Sequence, residues 1–256
     1  MKITKQRLKQ IILEEVTNRL LAESSTNLDP SQFAAFVKDK KGGFSIYLYK
    51  YDYSDTYNPV EVIGSINVQK PQMPCIPQTY EVSNISVKRE YKKQKIGLDL
   101  YRFAMGRLQR SGYGLTSDHS LGTKEDAAKF WKRLEKDADQ EKGLAYKRQT
   151  DAGNKTFDYD KSTEDPDDDC NKIAIGPEPA SDHSYIMKDS EATIARSQLA
   201  KLLMHHENVA NIEIPFLSAA KGTFAQLSNR EKLESYVHAI AGDIFEREYT
   251  RPPEGK

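Results

Sequence analysis

The chain has 256 residues, enough for one domain with extensions or for two small ones. Hydrophobic residues make up 38% and charged residues 30%, and the formal net charge is +0, so no global field draws the chain to nucleic acid or to a membrane surface, and neither is expected as a partner. No apolar run is long enough for a membrane span, the basic N-terminus lacks the apolar core of a signal peptide, and Cys75 and Cys170 have no metal-ligand companions, so a reducing, cytoplasmic setting with free thiols is expected.

Residues 1–26 form a first unit. Leu8, Ile11, Ile12, Val16 and Leu20 share one face of an amphipathic helix over Met1–Glu23. Lys2, Lys5, Arg7 and Lys9 crowd its start and oppose the helix dipole, so this helix needs packing on its own domain or against a protein partner, a second copy included. A lysine-rich opening followed by an acidic Leu/Ile segment is similar to the start of some tailed-phage proteins, which would place the chain in a host cytoplasm or a virion. The segment Ser24–Ser31 then reads as a polar linker.

Between Phe33 and Lys70 the pattern predicts two strands. Phe44, Ile46 and Leu48 alternate with Ser45, Tyr47 and Tyr49, and Val62, Ile63, Ile66 and Val68 make the second strand, with Gly64 as a bulge. The tyrosines read as half-buried strand residues, since few basic residues accompany them. After a proline-rich loop, Thr79–Val87 is a further strand, with Ile85 and Val87 on one face. Lys92, Lys93, Gln94 and Lys95 form a basic turn, and from Ile96 the apolar spacing becomes helical through Leu100, Ala104 and Leu108. From Ser86 to Arg110 there are eight Lys or Arg and two acidic residues. A strand, a basic turn and a helix N-terminus together suit an anion, because the first backbone N–H groups of a helix lack partners within it. The competing reading is a solvated basic face.

Val87-x-x-x-Tyr91-Lys92-x-x-x-Ile96-Gly97, followed by Leu100-Tyr101, resembles the acetyl-CoA motif of the GCN5-related N-acetyltransferases (GNAT), V-x-x-x-Y-R-G-x-G-I-G-x-x-L. The resemblance implies a mixed, mostly antiparallel α/β sheet flanked by helices. It implies that the strand main chain at Ile85 and Val87 pairs with the pantetheine arm of acetyl-CoA. The backbone N–H groups from Lys92 through Lys93, Gln94, Lys95 and Ile96 to Gly97 would hold the diphosphate. Lys93 and Lys95 stand where the family has glycines.

Downstream, Tyr113–Ser117 reads as a strand and Lys124–Lys136 as a helix. Ala127-x-x-Phe130-Trp131 resembles the family's A-x-x-F-Y, whose tyrosine often protonates the departing thiolate; an indole N–H cannot. Residues 137–180 form a polar insert, and Asp158–Asp169 holds seven acidic residues and one lysine, a solvated acidic loop rather than a metal site. Tyr185–Met187 would be the last strand, closing a GNAT-like domain over 33–189. Residues 190–256 would be a helical extension and a second candidate surface for a protein partner. It starts with a helix capped at Ser190 and carries His205 and His206 at that helix's end. Helices over Leu217–Leu227 and Asn229–Glu248 follow.

Acyl transfer to an amine needs a base for the amine's proton. Glu81 occupies the strand position where many GNAT enzymes keep a glutamate base, often acting through water; the competing reading is an exposed strand carboxylate. His119, between Asp118 and Ser120 at a strand end, is the second candidate, against a simple loop histidine. Two functions follow from the resemblance: transfer of an acetyl group to an unknown small-molecule or protein amine, or a GNAT-fold interaction protein without catalysis, such as a phage virion or accessory component.

Overall fold

The computed structural model describes residues 28–55, 59–71, 78–117, 125–139, 146–149, 184–211 and 226–250. Its strands are β1 (Phe33–Lys40), β2 (Gly43–Tyr51), β3 (Val60–Gln69), β4 (Thr79–Val87), β5 (Gly114–Ser117), β6 (Tyr146–Gln149) and β7 (Ser184–Met187). They make one 7-stranded sheet in the order β1-β2-β3-β4-β5-β7-β6. Only β4 and β5 pair in parallel; every other pair is antiparallel. The helices are α1 (Ile96–Gln109), α2 (Glu125–Asp139), α3 (Asp189–Ala210) and α4 (Asn229–Thr250). The mixed, mostly antiparallel sheet flanked by helices is the expected architecture.

Two strands differ from expectation. β1 precedes the two strands read between Phe33 and Lys70. Phe33, Ala34, Ala35 and Phe36 are all buried, so it buries both faces and shows no alternation. β6 lies inside the polar insert and owes its place to its pairing with β7, which no local pattern announces.

Alternate strand residues divide between two cores. On one face of the sheet Ala35, Ile46, Ile66, Val82 and Leu115 pack with Leu100, Phe103 and Ala104 of α1, Trp131 and Leu134 of α2, and Ala195, Leu199 and Leu202 of α3. On the other, Phe36, Tyr47, Tyr49 and Val62 pack with Val209 and Ala210 at the end of α3 and with Leu233, Val237 and Ala241 of α4. Val209, Ala210, Leu233, Val237 and Ala241 of the two C-terminal helices thus pack on the chain's own sheet, while Met204 of α3 is exposed. Tyr47, Tyr49 and Tyr51 are buried rather than displayed.

Two irregularities position the site. β3 carries a bulge at Ile63, one residue before the expected Gly64: Leu48 pairs with Gly64 and Tyr49 with Val62. Gly64 itself serves close approach, since a Cβ there would lie 2.7 Å from the Ser86 carbonyl oxygen. β4 carries a bulge at Ser83: Val68 pairs with Val82 and Asn67 with Asn84.

α3 begins at Asp189 with Lys188 at its cap and no side-chain cap bond. The hydroxyl that turns back is Thr193 Oγ1, donating to Asp189 O at 2.7 Å, rather than Ser190. The helix runs four residues past His206, so the two histidines meet buried neighbours instead of a helix end. His206 Nδ1 lies 2.8 Å from Tyr49 Oη and its Nε2 3.3 Å from Glu234 Oε1. Burial holds its pKa below the ordinary histidine value against the pull of Glu234.

Candidate active site

β4 and β5 pair from Thr79–Gly114 to Val82–Ser117, and β4 then runs on through Val87 with no further β5 partner among the described residues. Ser83, Asn84, Ile85 and Val87 are only half-buried, although β4 is an interior strand. A strand that continues past its last described partner, next to a bulge, is the kind of main chain with which an extended ligand arm pairs. Ile85 and Val87 both lie on this stretch.

The basic turn is a short 3-10 helix, Arg89–Gln94. Lys95 follows with φ 62 and ψ 14, a left-handed conformation at a position where the GNAT motif has glycine. The side chains of Lys92, Lys93, Gln94 and Lys95 are exposed. The first backbone bond of α1 is Asp99 N–H to Lys95 O at 3.1 Å, so the N–H groups of Ile96, Gly97 and Leu98 have no acceptor inside the helix. Gly97 is half-buried, and a Cβ there would meet only Val87 Cγ2, at 3.7 Å. Nothing among the described residues requires glycine at that position.

The turn is anchored to β3. Tyr91 Oη donates to Glu61 Oε2 at 2.8 Å, and Lys88 Nζ to Glu61 Oε1 at 2.5 Å. Burial alone would raise the Glu61 pKa, but these two bonds outweigh it and hold it below the ordinary value. Tyr91 is pushed up to about 12 by burial and by Glu61. The motif tyrosine is therefore a neutral donor that ties the turn to the sheet.

Glu81 is not the exposed carboxylate of the competing reading: it is 3% exposed. It sits opposite Gln69 on β3 and Thr116 on β5, and Gln69 Nε2 donates to its Oε1 at 2.9 Å. It belongs to a polar row on the face opposite α1. Thr79 Oγ1 donates to Ser184 Oγ at 2.9 Å, and Ser45 Oγ to Asn67 Oδ1 at 2.5 Å. Ser86 Oγ, on the same face, is buried without a partner. Glu81 lies two residues before the bulge and so at the mouth of the opening between β4 and β5. His119, with Asp118 and Ser120, lies outside the described residues, as do Cys75, Cys170 and the residues of 1–26.

Trp131 is 5% exposed and packs in a ring cluster with Tyr101, Phe130 and Tyr185, the Tyr101–Phe130 centroids being 3.8 Å apart. It is a core residue of α2.

The sequence did not single out Asp99 or Arg102 as buried. Asp99, in the first turn of α1, is 3% exposed and its Oδ2 has no partner. Burial raises its pKa to about 7 against the opposing fields of Arg102 and Lys95. Arg102, 7% exposed, donates to Glu191 Oε2 on α3 at 3.1 Å. An acid three residues after a helix start looks like a cap or dipole partner from sequence, and its burial is set by the tertiary fold.

No helix among the described residues is long and apolar enough to cross a membrane, and no group of acidic, His or Cys side chains among them could hold a metal ion. No protein-family model and no curated protein matches the chain. A solved structure, an IAA acetyltransferase from Bacillus cereus ATCC 14579, is similar in part, with 15% identity over 58% of this chain and 79% of that one, at a TM-score of 0.30. So loose a superposition adds nothing to the strand order and the opening beside β4.

Proposed function

We propose that the chain binds acetyl-CoA between β4 and β5 and transfers the acetyl group to an amine. The observation that carries this reading is the parallel β4–β5 pair, which runs as far as Val82–Ser117 among the described residues, beside the Ser83 bulge and buried Glu81. The residues around the opening fit the cofactor. The lysine side chains at the bend are exposed, the Ile96, Gly97 and Leu98 N–H groups suit a diphosphate, and Gly97 leaves room that no described residue uses. Bound acetyl-CoA would supply an activated thioester.

The remaining work falls to the chain. The main chain of Ile85 and Val87 orients the ligand arm, and Lys92, Lys93 and Lys95 add positive charge around the diphosphate. Glu81 takes a proton from the acceptor's ammonium, directly or through a water, so that the neutral amine can attack, while Gln69 holds the Glu81 carboxylate in place. His119 is the second candidate for that proton. Trp131 cannot supply a proton to the departing thiolate, so solvent does.

Calorimetric titration with acetyl-CoA tests the reading, with release of free thiol in the presence of an amine panel. Saturable binding, thiol release, and loss of release but not of binding in Glu81→Gln are expected. The same pattern in His119→Gln with Glu81→Gln active would move the base to His119. No heat at millimolar cofactor would end the proposal.

The second reading, a GNAT-fold interaction protein without catalysis, is favoured by Trp131 and by the lysines at the glycine positions. Binding of cofactor without thiol release to any amine would support it.

A further inference from the structure

The polar row that contains Glu81 continues to a basic cluster that the transfer reading does not use. On the face of the sheet opposite α1, Lys38 and Lys40 of β1 stand across from Ser45 and Gly43 of β2. Lys40 Nζ reaches over β2 to Asn67 Oδ1, at 3.4 Å. Gly43, directly opposite Lys40, has no side chain in the way. His238 of α4 approaches the same corner, its ring centroid 5.5 Å from that of Tyr47.

The two lysines repel each other and disfavour a charge on His238. The charges of Lys38 and Lys40 both depress His238, after burial, and Lys38 depresses Lys40. Among the described residues no carboxylate acts on either group. The nearest acid in sequence, Asp39, points to the other face, where it pairs with Arg107 at 2.7 Å. Positive charge gathered at one corner with no counter-ion among the described residues is unfavourable and is relieved by an anion.

The distance to Glu81 suits one small molecule. Asn67, where the Lys40 ammonium ends, pairs with Asn84, while Glu81 pairs with the next residue on the same face of β3, Gln69. Diagonal neighbours of this kind lie about 7–8 Å apart. Asn67 and Gln69 between the two charges are half-buried and polar, with no apolar side chain on this face of the strand between them.

We propose that the acceptor is a small amine that also carries an anionic group, lying across β3 and β4 with its amino end at Glu81 and its anionic end among Lys38, Lys40 and His238. This rests on the transfer reading, and deepens it by naming the class of acceptor.

The test compares 4-aminobutyrate, 6-aminohexanoate and O-phosphoethanolamine with butylamine as acceptors for the full chain and for Lys38→Gln/Lys40→Gln. At least one anionic amine is expected to exceed butylamine about tenfold in kcat/KM, the size of one charge-assisted contact. The double variant is expected to lose that advantage, mainly through KM, while Lys38→Arg/Lys40→Arg keeps it. Carboxylate against phosphate preference identifies the anion. Equal use of butylamine by the unaltered chain, or a preference that survives the double variant, overturns the proposal. Should no amine be acetylated, the side-chain amide signals of Asn67 and Gln69 in an NMR titration with the same compounds decide it without the cofactor. Shifts abolished in Lys38→Gln/Lys40→Gln would uphold the subsite while the transfer reading falls, and no shift would overturn the subsite as well.

Discussion

Replacing Asp99 by asparagine should flatten a slope in stability with pH. The Asp99 carboxyl sits in the first turn of α1, 3% exposed, with Oδ2 unpartnered and its pKa raised from 3.8 to about 7. The helix dipole and the charges of Arg102 and Lys95 favour the ionised form, but they lose to desolvation. Below about pH 4 the group is protonated in both folded and unfolded chains and costs nothing. As pH rises toward 7, the unfolded chain releases this proton and the folded chain keeps it, so stability is lost. The shift is about three units at about 1.4 kcal/mol each, so the loss is on the order of 4 kcal/mol, complete just above pH 7. The amide of the Asp99→Asn variant does not titrate. Urea unfolding at several pH values, followed by the fluorescence of buried Trp131, measures the difference. Asp99→Asn should gain on the parent chain steadily between pH 4.5 and 7 and keep the gain at pH 8. His205, His206 and His238, all depressed by burial, act with the opposite sign, raising stability as pH climbs toward the ordinary histidine range. They are present in both chains and cancel in the difference. A gap that stays constant from pH 4.5 to 8 would mean that Asp99 is ionised throughout, and the burial argument would be wrong.

Arg102→Met should cost about 3–5 kcal/mol, because it strands the Glu191 carboxylate between α1 and α3, where both side chains are 8% exposed. Adding Glu191→Leu should recover most of that loss, and simple additivity in the double-variant cycle would contradict the pairing. Tyr49→Phe should cost about 1–3 kcal/mol in urea unfolding by leaving His206 Nδ1 buried without its partner. A variant as stable as the parent would show that the bond contributes nothing. Lys95→Gly should stabilise by up to about 1 kcal/mol, since Lys95 is exposed and holds φ 62. That is a rise of about 2–4 °C in Tm, and an unchanged or lower Tm would refute the left-handed strain.

Much of the site is legible in the chain's own pattern. Strand, basic turn and helix across Ile85–Gly97 follow from a switch in apolar period, and period depends on neighbours close in the chain. Glu81 stands out by its place on that strand. Its burial is not legible, because burial depends on Gln69 and Thr116, which lie on two other strands. β1 escapes for the complementary reason: a strand covered on both sides loses the alternation that would reveal it.

The sequence by itself determined β4, the basic turn and the helix after it, the run of lysines at the bend and the place of Trp131 on its helix. Only the tertiary structure decided which charges are paired, stranded or crowded. Arg102 found Glu191 on a helix far along the chain, Asp99 was left beneath it, and Lys38, Lys40 and His238 met at one corner of the sheet. The physical reason is that periodicity is a local property of the backbone, whereas the field at a side chain is set by whatever the fold brings within a few ångströms of it.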